Sequence, residues 1–153
     1  MKKILVSECL YGGRAVRYDA REIQLEDRVF LKWKEEGRLI PICPEILGGL
    51  STPRASAQRL GDRILTEDGA DVTREYTLGA LKTIEIAKEN EIAFAIMKQS
   101  SPSCGSKIIY DGTFTNKKQP GQGLAVEYLR REGIMVFSEE EIEEAHKYLE
   151  ENK

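Results

Sequence analysis

The chain has 153 residues, of which 41% are hydrophobic and 32% are charged, and its net charge is −3. This length and composition predict one globular domain that spans residues 1–153 around a single core. Mixed charges of both signs argue against nucleic acid as a partner, because binding its backbone usually requires a basic face. The apolar runs are too short to cross a membrane, and the start of the chain indicates a strand rather than a secretion signal, so we expect a cytoplasmic protein.

Short apolar segments alternate with amphipathic segments along the chain. Strands are predicted at 3–6, 39–42, 92–97 and 134–137, and helices at 24–36, from 71–73 to about 90, at 122–132 and from Ser138 onward. Asp71 or Thr73 is expected to cap the second of these helices, and Ser138 the last. This alternation predicts an α/β fold: a single Rossmann-like domain with a mostly parallel sheet flanked by helices.

Two stretches between these elements are predicted to be irregular. Residues 48–73 are rich in Gly, Ser, Thr and Pro, and a hairpin is expected there around Arg63-Ile64-Leu65 and Asp68-Gly69. Residues 111–121 are predicted as a loop.

The three cysteines, Cys9, Cys43 and Cys104, each follow a predicted strand at or near its carboxyl end. In open α/β sheets this edge is where ligands bind, so the three thiols are expected to meet there. An odd number of cysteines in a reducing compartment argues against a disulfide framework. Burial as small apolar side chains is the ordinary alternative for each thiol, and spacing alone leaves shared metal ligation open.

If the thiols do share a metal, their chemistry narrows its identity. Thiolates favour zinc or iron–sulfur clusters. A structural zinc site usually has close cysteine pairs and four protein ligands, whereas this chain has no C-x-x-C pair and its one histidine, His146, lies in a charged C-terminal segment. A 4Fe–4S cluster is usually held by four cysteines, so three cysteines would leave one iron open to a substrate.

Several motifs make the sequence similar to the thiouracil desulfidase family. They are V-S-x-C-L-x-G (6–12), V-R-Y-D (16–19), C-P-E-x-L-G-G-L-x-T-P-R (43–54), D-V-T (71–73), K-x-S-S-P-S-C-G (98–105), Y-D-G-T-F (110–114) and G-x-G (121–123). The resemblance runs from about residue 3 to 138. One departure is Ala20, where a glycine is common, and we expect little consequence from it.

The resemblance implies a cofactor and a reaction. Cys9, Cys43 and Cys104 match the ligands of a 4Fe–4S cluster with one open iron, which takes the substrate sulfur. The implied reaction is hydrolytic and non-redox: thiouracil and water give uracil and hydrogen sulfide. Glu45 and Ser101 match positions expected to assist this chemistry. The expected partner is therefore a small thiolated pyrimidine, either a base or a nucleotide.

Four further polar residues of the motif loops are predicted to bind substrate: Ser103, Lys98, Arg17 and Arg54. If the substrate is a thiouridine monophosphate, the two arginines would hold its phosphate. Each of these side chains also has an ordinary structural explanation. Glu45 would stabilise a helix N-terminus after Pro44, and the serines would satisfy backbone groups in a Ser-Pro loop.

Three other functions are compatible with the sequence. The chain could bind an iron–sulfur cluster or carry sulfur without turning over thiouracil, act on thiolated tRNA, or hold a structural zinc ion.

Overall fold

The computed structural model describes residues 1–152 and contains short strands and helices in alternation. The strands are β1 (Ile4–Ser7), β2 (Leu39–Ile42), β3 (Ala57–Leu60), β4 (Arg63–Thr66), β5 (Phe94–Met97), β6 (Ile108–Tyr110), β7 (Lys118–Pro120) and β8 (Val136–Ser138). The helices are α1 (Glu8–Tyr11), α2 (Arg28–Glu35), α3 (Pro44–Leu47), α4 (Thr73–Glu89), α5 (Leu124–Arg131) and α6 (Ile142–Glu151). Among these described residues, no helix is both long and apolar enough to span a membrane.

The central sheet has four parallel strands in the order β2-β1-β5-β8. The chain leaves β1 towards β2 on one side and leaves β5 towards β8 on the other. The carboxyl ends of β1 and β5 therefore form a topological switch point, where α/β sheets bind ligands. The predicted fold class, an α/β domain with a parallel sheet flanked by helices, is confirmed.

Helices cover both faces of this sheet. Successive strand residues point to opposite faces, and since both sets are apolar, both faces are buried. One face packs against α4 and α5 through Leu5, Ala95, Met97 and Val136. The other packs against α2 and α6 through Ile4, Val6, Phe94, Ile96 and Phe137. Burial on both faces explains why these strands read as continuous apolar runs in the sequence.

Three helices begin later than predicted, among them α5, which begins at Leu124 rather than at residue 122. The helix expected from residue 24 begins at Arg28, since the Asp27 carboxylate accepts hydrogen bonds from the N–H groups of Val29 (2.8 Å) and Phe30 (3.1 Å). The prediction that Ser138 caps the last helix is wrong. Ser138 is the last residue of β8, and α6 begins at Ile142.

The start of α4 also differs from the expected cap. Val72 holds the cap position, and the Thr73 hydroxyl accepts a hydrogen bond from the N–H of Ile64 in β4 at 2.8 Å. The Asp71 carboxylate instead accepts from the N–H of Thr73 at 2.9 Å. Asp71 thus satisfies a free N–H of the first turn, while Thr73 joins the helix to the neighbouring hairpin.

Two hairpins lie outside the central sheet. The predicted hairpin is present: the strand β4 (Arg63–Thr66) is followed by a turn at Asp68-Gly69, after which Asp71 pairs with Leu65. On its other side β4 pairs antiparallel with β3, a strand that the sequence did not predict. The predicted loop 111–121 is partly wrong, because β7 returns to pair antiparallel with β6.

The short helix α3 lies directly against α4 because both carry a glycine at the contact. A Cβ atom on Gly79 of α4 would lie 1.8 Å from the carbonyl oxygen of Pro44, and one on Gly48 would lie 1.9 Å from that of Glu75. No side chain fits at either position. This close approach fixes the position of the segment that begins with Cys43.

We predict that Gly79→Ala destabilises the fold by at least about 2 kcal/mol, since the added methyl group must push two backbones apart. Chemical denaturation would measure the loss. Lys82→Ala, an exposed substitution on the same helix, is the control and should change the free energy of unfolding by less than about 0.5 kcal/mol. Equal denaturation midpoints for the two variants would contradict the prediction.

Candidate active site

The three cysteines line one cavity of about 290 Å³ at the carboxyl edge of the central sheet. Cys9 lies in the first turn of α1, directly after β1, and Cys43 lies between β2 and α3. Cys104 lies in the loop after β5. They meet because β2, β1 and β5 are adjacent and parallel, so their carboxyl ends point the same way. All three are free thiols.

The surroundings of these thiols disfavour bare thiolates. Burial raises the pKa of Cys9 to about 12, and the nearby Cys43 adds to the increase. Burial also raises the pKa values of Cys43 and Cys104. A cation beside the sulfur atoms would reverse this effect, because a coordinating thiol loses its proton.

Within residues 1–152, no three His, Cys, Asp or Glu side chains surround a single ion position.

Glu45, in the first turn of α3, is held at the cavity from two sides. Its Oε1 accepts a hydrogen bond from Arg54 Nε at 3.0 Å, and its Oε2 accepts one from Ser103 Oγ at 3.0 Å. The exposed fractions of the Glu45 and Arg54 side chains are only 13% and 8%. The buried Tyr76 lies close by: burial first, and then the Glu45 carboxylate, raise the pKa of its hydroxyl. These partners leave the carboxylate little freedom to turn.

Two serines extend this network towards Cys104. Ser101 Oγ accepts hydrogen bonds from the N–H groups of Ser103 and Cys104, each at 3.1 Å, and lies 2.9 Å from Ser103 Oγ. Ser103 Oγ has two acceptors in reach, Glu45 Oε2 at 3.0 Å and Cys104 Sγ at 3.5 Å. With its hydrogen on the nearer carboxylate, the Ser101 hydroxyl donates to Ser103 Oγ. The hydrogen bonds thus run in one direction, from Ser101 through Ser103 to the Glu45 carboxylate.

Arg54 is engaged almost wholly within the protein. Besides Glu45, its guanidinium donates to the Ser51 carbonyl (3.0 Å), the Thr52 hydroxyl (3.0 Å) and the Val16 carbonyl (2.9 Å). The arginine therefore joins the loop of the V-R-Y-D motif to α3.

The other two predicted cations have looser attachments. Lys98 pairs with Glu139 at 2.8 Å, and Arg17 lies 3.7 Å from Asp19. Their side chains remain 35% and 27% exposed, so both can reach solvent at the cavity. The Arg17 pair is the longest of those made by the three predicted cations.

Every predicted site residue lines this cavity, although the roles assigned to them remain predictions. Sequence reasoning missed other lining residues, which come from the hairpins and from α4: Gln58, Tyr76, Tyr110, Asn116 and Lys118. Tyr110 opens the Y-D-G-T-F motif and could have been found from it. Gln58, Asn116 and Lys118 had no signal, because neither the β3 strand nor the return of β7 was predicted. Tyr76 lies in a predicted helix, but nothing in the sequence marks it as facing the cavity.

Comparisons with known proteins agree with this geometry. A model of the 2-thiouracil desulfurase family matches residues 4–141. The solved structure of the [4Fe-4S]-dependent thiouracil desulfidase TudS is 41% identical and superposes with a TM-score of 0.95, over 98% of this chain and 99% of that one. The uncharacterized protein YbbK of Bacillus subtilis (strain 168) is 42% identical, over 91% of this chain and 97% of that protein. The chain belongs to the 2-thiouracil desulfurase family, as its motifs predict.

Proposed function

We propose that this chain is a [4Fe-4S]-dependent thiouracil desulfidase. It would replace the sulfur of a thiolated uracil with an oxygen from water and release hydrogen sulfide, without a change of oxidation state. The observation that carries this proposal is the meeting of three thiols and an oriented carboxylate in one cavity. The family match and the similarity to the [4Fe-4S]-dependent thiouracil desulfidase TudS support it.

The donor set fits a three-cysteine 4Fe–4S cluster held by Cys9, Cys43 and Cys104. Thiolates are the usual ligands of such clusters, and the chain has no fourth cysteine to complete the set. When bound, the cluster supplies a thiophilic Lewis acid at the iron that no cysteine holds.

The protein's own residues would handle water and protons. Glu45 is the proposed general base: its carboxylate, oriented by Arg54 and Ser103, takes a proton from the attacking water. The hydrogen-bond chain from Ser101 through Ser103 connects this carboxylate to the loop of Cys104. This chain donates towards Glu45 and so holds the carboxylate in place. Glu45 would return its proton to the departing sulfur, and the second proton of the attacking water would follow as the carbonyl forms, so that water and thiouracil give uracil and hydrogen sulfide.

The cations of the cavity extend the proposed substrate to a thiouridine monophosphate. Arg17 and Lys98 are partly exposed and can turn towards a phosphate, whereas Arg54 would first have to release a contact within the protein. We therefore propose Arg17 as the main phosphate ligand, Lys98 and Ser103 as further substrate contacts, and Arg54 as the residue that orients Glu45.

The cluster-dependent reaction is tested first by anaerobic reconstitution. Wild type should bind about four iron and four acid-labile sulfide and release uracil and sulfide from 2-thiouracil or 4-thiouracil, whereas Cys104→Ser should lose both cluster and turnover. Zinc without labile sulfide would contradict the proposal. A fully loaded cluster with no turnover of bases or monophosphates would instead favour the sulfur-carrier alternative.

Glu45→Gln should lower kcat at least about 100-fold, because the amide keeps the shape of the side chain but cannot accept the proton. Its cluster absorption should match that of wild type. Glu127→Gln is the control, since Glu127 is also ion-paired, with Arg59 at 2.7 Å, and does not line this cavity. Turnover by Glu45→Gln at the control's rate would reject the general-base role.

Arg17→Ala should raise KM for a thiouridine monophosphate about tenfold and leave KM for the free base unchanged, because only the nucleotide carries a phosphate. Steady-state kinetics on both substrates would measure this difference. Arg54→Lys should lower kcat for both substrates alike, since lysine cannot keep the forked contacts to Glu45 and Val16. An equal effect of Arg17→Ala on base and nucleotide would contradict the phosphate assignment.

A further inference from the structure

Gln58 of β3 is a buried amide whose oxygen is fully used within the protein. Only 8% of the residue is exposed, and its Oε1 accepts hydrogen bonds from the backbone N–H groups of Gly112 (3.0 Å) and Phe114 (3.2 Å). Both partners are backbone N–H groups, which can donate a hydrogen bond but cannot accept one. They determine which end of the amide is oxygen and prevent the side chain from flipping.

The other end of the amide, Nε2, makes no hydrogen bond within the described chain. It is nevertheless not sealed in the core: across residues 1–152 the buried side-chain nitrogen and oxygen atoms without a partner are Glu75 Oε2 and Ser106 Oγ. Nε2 therefore keeps some accessible surface, and Gln58 lines the cavity of the three thiols. We infer that the free N–H groups of Nε2 face this cavity, while the oxygen stays engaged with the loop.

The location of this donor suggests which substrate atom it meets. Gln58 belongs to the wall built by the two hairpins, together with Tyr110, Asn116 and Lys118, and not to the loops that carry the thiols. A thiouracil whose sulfur points to the thiols directs the rest of its ring towards this wall. The ring then offers one strong acceptor, the carbonyl oxygen that does not react.

We propose that Gln58 is a specificity-determining residue that donates a hydrogen bond from Nε2 to this remaining carbonyl oxygen. The inference rests on the proposed desulfidase function and deepens it. Because the oxygen of Gln58 is locked, the residue cannot accept from an amino group in the same place, as a free glutamine could. The site thereby selects thiolated uracil over thiolated cytosine, whose amino group would leave this donor unpaired.

Two substitutions separate the donor from the support of the loop. Gln58→Glu keeps the acceptor for Gly112 and Phe114 but removes the donor, whereas Gln58→Met removes both. Hydrogen exchange at these two amides reports on the loop without any need for the cluster. Protection should survive in Gln58→Glu and fall at least about tenfold in Gln58→Met.

Substrate preference then tests the donor itself. Wild type should prefer 2-thiouracil to 2-thiocytosine, and 4-thiouracil to its 2-amino analogue. In Gln58→Glu, kcat/KM for the carbonyl substrates should fall about tenfold and that for the amino analogues should rise, because a carboxylate accepts from an amino group. Gln58→Met should weaken both kinds of substrate alike. This contrast between the variants holds even if Gln58→Glu loosens the loop.

Gln99 provides a matched control. It lines the same cavity, and its Oε1 also accepts backbone hydrogen bonds, from Ser106, Lys107 and Ile108 at 3.2–3.3 Å. It lies, however, at the start of the loop that carries Cys104. Gln99→Glu should therefore leave the preference for carbonyl over amino substrates unchanged. A shift of preference in Gln99→Glu and none in Gln58→Glu would overturn the proposal.

Calorimetric binding of the products distinguishes this inference from the proposed function. Wild type should bind uracil more tightly than cytosine, and Gln58→Glu should reduce that difference at least about tenfold, whether or not any thiouracil is turned over. An unchanged ratio in an otherwise folded variant would reject the role of Gln58. Absence of wild-type turnover together with the expected binding ratios would reject only the desulfidase reaction.

Discussion

The close approach of α3 and α4 determines the geometry of the whole site. Gly48 and Gly79 allow two backbones to touch where any side chain would hold them apart. Because α3 is one turn long, it has almost no packing of its own to fix its direction. The contact with the long α4 helix supplies that direction, and it sets Cys43, Glu45 and the buried Tyr76 at the same wall of the cavity.

Polar residues then connect parts of the wall that the sheet alone would leave independent. The Arg54 guanidinium joins the loop at Val16 to α3, and the serines join α3 to the Cys104 loop. Two buried glutamines do the same for segments without regular structure, by accepting several backbone N–H groups on one side-chain oxygen each. Buried networks of this kind rigidify a site only when nearly all their members are satisfied. Here the amide nitrogen of Gln58 is left without a partner in the protein, and the proposed ligand would supply one.

The sequence predicted the central sheet and the cysteines at its edge, because both follow from strong local signals: buried apolar runs, and motifs directly after them. It did not predict α1, and it anticipated α3 only as a helix N-terminus after Pro44, since one helical turn is too short to show a periodic pattern. The cap of the last helix was misplaced because Ser138 pairs in β8 before the helix begins. The sequence did not predict Gln58 as a site residue, for another reason. Its role arises from contacts with Gly112 and Phe114, far along the chain, and leaves no trace in the neighbouring residues.

The three thiols come from three separate segments, which only the folded sheet brings together. A cluster held by Cys9, Cys43 and Cys104 would therefore act as a cross-link between parts of the chain that are distant in sequence. Binding that occurs only in the folded state stabilises that state, so cluster retention and folding free energy are thermodynamically linked. A substitution far from the cavity that weakens the sheet would thus lower the affinity for the cluster. Oxidative loss of the cluster would in turn release the edge of the sheet from this restraint.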